Sequence, residues 1–144
     1  MVIIMKILSI GKMSGVSNTC RLRTEALKDI ADIVDVINSE EQPLTLWYKI
    51  AHHLFLWGFP VCLPDIEHIN CKIIECVKRN KYDIVWIDKG ITVNASTLKQ
   101  IKEIRPETVI VSYSPDNMAL RHNQSQNYLN GIDLYDIHFT TKSY

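Results

Sequence analysis

Three short stretches of this 144-residue chain carry residue types that could do chemistry, and all three directly follow apolar runs. In YDIVWIDKGITV, Tyr82 to Val93, the apolar residues Ile84 to Ile87 lead straight into Asp88-Lys89-Gly90. Such a run reads as a strand buried on both faces. The C-terminal ends of parallel strands are where α/β proteins usually place their ligands. There Lys89 could meet a phosphate or carboxylate, Gly90 would admit a ligand closely, and Asp88 is a candidate catalytic carboxylate. The same tripeptide is also good turn chemistry, with Asp88 and Lys89 as a solvated pair.

The second stretch, Gly11-Lys12 to Gly15, falls where a first strand meets a first helix. Glycines let a backbone approach a phosphate there, and a helix N-terminus attracts negative charge. The spacing is neither G-x-G-x-x-G nor G-x-x-x-x-G-K-[ST], so the usual dinucleotide and triphosphate cradles are disfavoured. A plain βα turn explains it equally well. The third stretch is Ser112-Tyr113-Ser114-Pro115-Asp116-Asn117, with His122 shortly after. Asp116 could orient a hydroxyl or act as a base. Pro-Asp-Asn is also an ordinary turn sequence.

The remaining polar candidates carry less. His68 and Cys71 would share a helix face, but Cys76 falls off it, and a structural zinc wants four placed ligands. We expect no metal site and read the cysteines as small buried residues. Cys20 has no flanking base, and His52-His53 mark no chemistry.

These residues need elements to position them. Ile3 to Ile10 reads as a central strand closed by Gly11. Asn18 or Thr19 then caps a helix presenting Leu22, Ala26, Leu27 and Ile30. Ile33 to Ile37 is a second strand, and 38–43 a polar connection. Leu44 to Trp57, LTLWYKIAHHLFLW, is apolar on nearly all sides and reads first as a core helix, second as a contact to another domain. Asp65 caps a helix with Ile66, Ile69, Ile73 and Val77 on one side. A strand over Asp83 to Ile87, a helix over Ala95 to Ile104 ending before Pro106, and a strand over Val109 to Tyr113 follow. A short helix over Asn127 to Leu134 and a strand over Ile137 to Thr140 complete the pattern. Apolar strands alternating with helices specify an α/β, Rossmann-like three-layer domain, with a mainly parallel sheet of about five strands. We expect one domain over residues 1–144. A parallel sheet normally has a helix after its last strand, so the chain reads as part of a longer protein.

The composition, 47% hydrophobic and 22% charged, is that of a globular protein. Sixteen basic residues balance sixteen acidic ones, which gives no field toward nucleic acid or an anionic membrane. No apolar stretch is long enough to span a bilayer, and no C-x-x-C pair occurs among the four cysteines. The expected setting is cytoplasmic, with reduced thiols.

With these residues in hand, the chain resembles the N-terminal half of a GT-B glycosyltransferase, of the CgeB-like, spore-maturation kind within the group 1 type. The resemblance runs from Gly58 to the end, through GFPVCLPDIEHIN, YDIVWIDKG, VIVSYSPDN and LYDIHFTTKSY, and the opening MKILSIGKMSG suits it. In such enzymes two Rossmann-like domains face each other across a cleft. The C-terminal one supplies most contacts to the nucleotide-sugar, and the N-terminal one shapes the acceptor site. The resemblance therefore implies that Asp88, Lys89 and Gly90 line the cleft. Gly11 and Gly15 would approach the donor diphosphate, Asp116 and Asn117 would lie near the acceptor, and Lys12 and His122 join the residues that would bind donor or acceptor. It implies sugar transfer from a nucleotide-sugar donor to a hydroxyl acceptor, without metal or cofactor. The C-terminal domain becomes an expected partner, and this chain alone should not catalyse transfer.

The rival class is a receiver-like or flavodoxin-like signalling or ligand-binding module. Asp88 ends the third strand, Ser112 and Ser114 lie at the fourth, and Lys142 follows the fifth. A phospho-acceptor site also wants an acidic pair after the first strand to hold Mg²⁺. Ser9-Ile10-Gly11 stands there instead.

Overall fold

A computed structural model describes residues 4–15, 18–39 and 45–142. The elements run β1 (Lys6–Gly11), α1 (Thr19–Ile30), β2 (Ile33–Asn38), α2 (Leu46–Leu56), α3 (Ile69–Arg79), β3 (Ile84–Asp88), α4 (Ala95–Ile104), β4 (Val109–Ser114), α5 (Gln126–Asn130) and β5 (Ile137–Thr140). Single 3₁₀ turns flank α5. The expected strand start at Ile3, the helix start at Leu44, most of the 38–43 connection and the last two residues lie outside the described residues.

Every strand pairing is parallel, and the order is β2-β1-β3-β4-β5. This is the Rossmann-like α/β sheet that the alternating pattern specifies. The order reverses between β1 and β3, so their C-terminal ends diverge into a crevice.

Side chains alternate across the sheet, and the register sorts them into two faces. Leu8 pairs with Val85 and Ile10 with Ile87, while Val85 pairs with Ile110. This face carries the main core, packed by Ile73 and Val77 of α3, Leu98 and Ile101 of α4, and Tyr128 of α5. Ser9, Trp86 and Val111 share the opposite face. There α1 docks through a hydrogen bond, 3.0 Å long, between the hydroxyls of Ser9 and Thr24.

Four expectations change. Helix α1 buries Cys20, Thr24 and Leu27, whereas Leu22 and Ile30 are exposed. The hydrogen bond to Ser9 turns this polar-containing stripe inward, since a sheet hydroxyl needs a partner. Helix α2 is not a core helix: only Ala51 and Phe55 are buried, and Trp47 is 68% exposed. Ile66 lies outside α3, which begins at Ile69. Asp65 nevertheless caps that helix, accepting from the backbone N–H of Ile69 and Asn70 at 2.8 Å each. Finally, β3 buries Val85 and Ile87 but leaves Ile84 and Trp86 half-buried, and β5 is exposed throughout. Among the described helices, only α1 packs on the sheet face opposite the main core, against β1 and β2.

Candidate functional site

Asn18 sets the entrance of the site. Its side-chain carbonyl accepts from the N–H of Cys20 at 2.9 Å, capping α1. Its amide donates to the carbonyls of Lys12 at 2.6 Å and Ser14 at 2.7 Å. One side chain therefore closes the helix and folds the β1–α1 loop over it.

The opposite wall is the loop after β3, and it is over-determined. Lys89 sits in the left-handed region at φ 48, unusual for a residue with a side chain. Its N–H donates to the Tyr113 carbonyl at 2.9 Å, and its carbonyl accepts from Ile91 N–H at 2.6 Å. A Cβ on Gly90 would lie 2.6 Å from Ile87 Cγ2 and 3.0 Å from the Tyr135 hydroxyl, so packing demands glycine. Further along, Asn70 of α3 donates to the Thr92 carbonyl at 2.9 Å. Its own carbonyl accepts from Asn94 N–H at 2.9 Å and from the Thr97 hydroxyl at 2.7 Å. A buried amide thus pins the loop to the core with every partner satisfied.

Between these walls lies a cavity of about 270 Å³, lined by Lys12, Arg23, Asp88, Lys89, Tyr48 and Thr92 among others. Arg23 reaches Asp88 Oδ2 from Nε at 2.7 Å and from Nη2 at 2.6 Å. Its guanidinium also lies 4.0 Å from the centre of the Tyr113 ring, a cation–π placement. Burial pushes the Asp88 carboxyl above the usual carboxylate range, and Arg23 opposes that push. Burial, reinforced by the neighbouring Asp88 charge, pushes the Cys20 thiol up to about 12. A thiol so raised is not a nucleophile near neutral pH.

A second cavity of about 190 Å³ adjoins the first under α2 and shares Lys89, Gly90 and Ile91 with it. Phe55, Tyr113, Met118 and Tyr128 give it apolar walls, and Asp116 and His122 stand on its rim. Lys89 Nζ meets Asp116 Oδ2 at 2.6 Å across the boundary between the cavities. Both side chains are about half exposed, so the pair contributes little to stability and is free to open.

The structure therefore brings Lys12, Asp88, Lys89 and Gly90 to the first cavity, and Lys89, Gly90, Asp116 and His122 to the second. Three candidates stand apart. Gly11 is buried against Cys20 and Asp88, where a Cβ would collide with the thiol, so its role is packing. Gly15 turns the loop at φ 92 without lining either cavity. Asn117 builds the turn after β4, accepting from Ala119 N–H at 2.9 Å and from the Asn123 amide at 2.8 Å. His68 is the left-handed residue before α3, φ 55, and shares no helix face with Cys71. Among the described residues, no three histidine, cysteine or acidic side chains gather where they could hold a metal ion. Arg23, Tyr48 and Asn70 escaped the sequence reading. Arg23 alone left a signal there, a charge lying in the same helical stripe as Cys20, Thr24 and Leu27.

No protein-family profile matches the chain. It is 36% identical to Serpin B5 of Rattus norvegicus over 61 residues, which is 40% of this chain and 16% of that protein. The chain therefore spans a small part of the length of the curated relative it matches. Among solved structures it resembles a putative pilus assembly-related protein of Burkholderia pseudomallei, with a TM-score of 0.41 and 10% identity. That likeness covers 96% of this chain and 78% of the other. No described helix is long and apolar enough to cross a membrane.

Proposed function

We propose that this chain binds a phosphate-bearing ligand in the crevice between β1 and β3, and serves as the acceptor-side domain of a glycosyltransferase using a nucleotide-sugar donor. The observation that supports this reading is the pair of joined cavities meeting at Lys89. One holds the cations Lys12, Arg23 and Lys89 around the end of α1, and the other has apolar walls with a carboxylate on its rim. Such a crevice suits a ligand that is anionic at one end and uncharged at the other. The resemblance of YDIVWIDKG and VIVSYSPDN to GT-B sequences supplies the reaction class. In this reading Lys89 meets the diphosphate, and Asp116, released from Lys89, takes the acceptor hydroxyl proton. The donor-binding half would be a second Rossmann-like domain.

The strained backbone of Lys89 gives the test its edge. Replacing Lys89 by Gly relieves a left-handed residue, which stabilises the fold by about 0.5–1 kcal/mol. The same change removes the cation shared by the cavities. We expect Lys89→Gly to raise the melting temperature while weakening calorimetric binding of UDP-glucose or GDP-mannose roughly tenfold. If neither nucleotide-sugar nor inorganic pyrophosphate binds the wild-type chain, the assignment of a phosphate site to this crevice is lost.

The strand order 2-1-3-4-5, which flavodoxin-like folds share, favours one alternative. Asp88 ends β3 as a phospho-acceptor carboxylate does, but Arg23 occupies it and Ser9 to Gly11 offer no acidic pair. A phosphoaspartyl product from acetyl phosphate and Mg²⁺ would establish that reading instead.

A further inference from the structure

The second cavity, of about 190 Å³, has a roof, sides and floor of different chemistry. Its roof is α2, where His52 and Phe55 lie with ring centres 5.8 Å apart and tilted by 43°. Its sides are Met118 of the loop after β4 and Tyr128 of α5. The chain leaving α2 is fastened to that side wall. Asn127 of α5 accepts from Leu63 N–H at 2.7 Å and donates to the Leu63 carbonyl at 3.1 Å. The floor is β4, and there Ser112 is only 4% exposed, in the partition to a hollow at the β5 end. Although it lines the cavity, the Ser112 hydroxyl has no hydrogen-bond partner among the described residues. A buried hydroxyl without a partner is uncommon and calls for an occupant that bonds it.

Most other polar groups around the cavity are already engaged. Tyr128 Oη pairs with His138 Nδ1 at 3.1 Å, and Ser114 Oγ accepts from Asp116 N–H at 3.3 Å. The Asn123 amide donates to the Asn117 carbonyl at 2.8 Å. Asp116 and His122 stand at the rim, with Asp116 bridged to Lys89. A sugar brings several hydroxyls, and each one buried without a partner costs binding. The side chains of Phe55, Leu56 and Met118 could meet none of them. An apolar cavity of about 150 Å³ is enough to take a benzene ring. Volume and walls therefore suit one aromatic ring, with a polar group at its floor end and another at the rim.

We propose that this cavity takes a single aromatic ring carrying a hydroxyl, oriented by a hydrogen bond from Ser112 to an acceptor such as a carbonyl on the far side of the ring. The role of that ring rests on the glycosyltransferase reading, in which it is the acceptor substrate. Its hydroxyl then faces Asp116 at the rim. In transfer the hydroxyl oxygen bonds the sugar carbon, the bond from that carbon to the nucleoside diphosphate breaks, and Asp116 takes the hydroxyl proton. Ser112 meets the far substituent and not the reacting atoms, so it sets specificity.

The test titrates the chain with para-hydroxyacetophenone, phenol and methyl glucoside, following the backbone amide signals by NMR. Para-hydroxyacetophenone should shift the amides of Gly90, Ser112 and Met118 and bind roughly fivefold tighter than phenol. Ser112→Ala removes no hydrogen bond within the chain, so its melting curve should match wild type. That variant should bind para-hydroxyacetophenone roughly fivefold more weakly and phenol unchanged. Binding of the glucoside in place of the rings, binding of neither ring, or a ring affinity indifferent to Ser112→Ala each overturns the proposal. Inorganic pyrophosphate, titrated separately, reads the first cavity alone. Ring binding without pyrophosphate binding upholds the ring site and overturns the phosphate assignment of the crevice instead.

Discussion

The pairing of Arg23 with Asp88 shows how one residue can hold a site together without being its chemistry. Asp88 is 6% exposed, and it lines the first cavity beside Arg23. Removing one member of a buried pair leaves an uncompensated charge, which costs about 3–5 kcal/mol. Arg23→Ala should therefore destabilise the chain by about 3 kcal/mol in urea titrations at neutral pH, and Arg23→Ala with Asp88→Asn should recover much of that loss. The pH dependence has a definite sign. Burial raises the folded carboxyl above its ordinary 3.8, so the folded state holds the proton more tightly than the unfolded one. Stability from this group is full below 3.8 and falls as pH rises through the raised value. Without Arg23 the carboxyl rises further, so the deficit of Arg23→Ala should shrink on acidification. A deficit that is constant from neutral to acidic pH would show that the arginine acts only through packing on Tyr113. The sequence disclosed Asp88 through its place after an apolar run, but its partner lies 65 positions away, beyond any local pattern.

At the scale of elements, legibility followed packing. Strand ends, α4 and β5 could be read because their apolar runs are bounded by turn residues and proline. Helix α2 could not, because a helix apolar on nearly all sides looks the same whether a core or a partner covers it. The loop after β3 is a further case. Gly90 is required by Ile87 and Tyr135, and Asn70 holds Thr92, Asn94 and Thr97, yet neither contact leaves a local sequence signal. Asn70 is the element-scale hinge of the site: it sits on α3, is fastened to Asp65 and carries the wall that presents Lys89. Asn70→Ala strands a carbonyl, an N–H and a hydroxyl in the interior, at a cost of about 2–3 kcal/mol. Hydrogen exchange should then quicken at Asn94 and neighbouring amides while β1 stays protected. Uniform quickening across the sheet would mean that Asn70 supports the whole core, not the loop.

For the whole molecule, the charge balance and the open apolar surfaces act in the same direction. Sixteen positive and sixteen negative charges leave no net repulsion near the sequence pI of about 6.9. With no net charge to oppose contact, exposed residues such as Trp47, Trp57 and Phe139 make non-specific association easiest near neutral pH. Light scattering across pH should therefore show self-association strongest near pH 6.9 and weaker well away from it, where net charge of one sign keeps copies apart. Salt screens exposed charges within about 8 Å at physiological strength, whereas water-to-apolar transfer does not weaken with added salt. Scattering at neutral pH should therefore hold or increase with added sodium chloride. Scattering abolished by salt would mean that the contacts rest on exposed pairs such as Lys81 with Glu107, 2.9 Å apart on the surface, and not on the apolar residues.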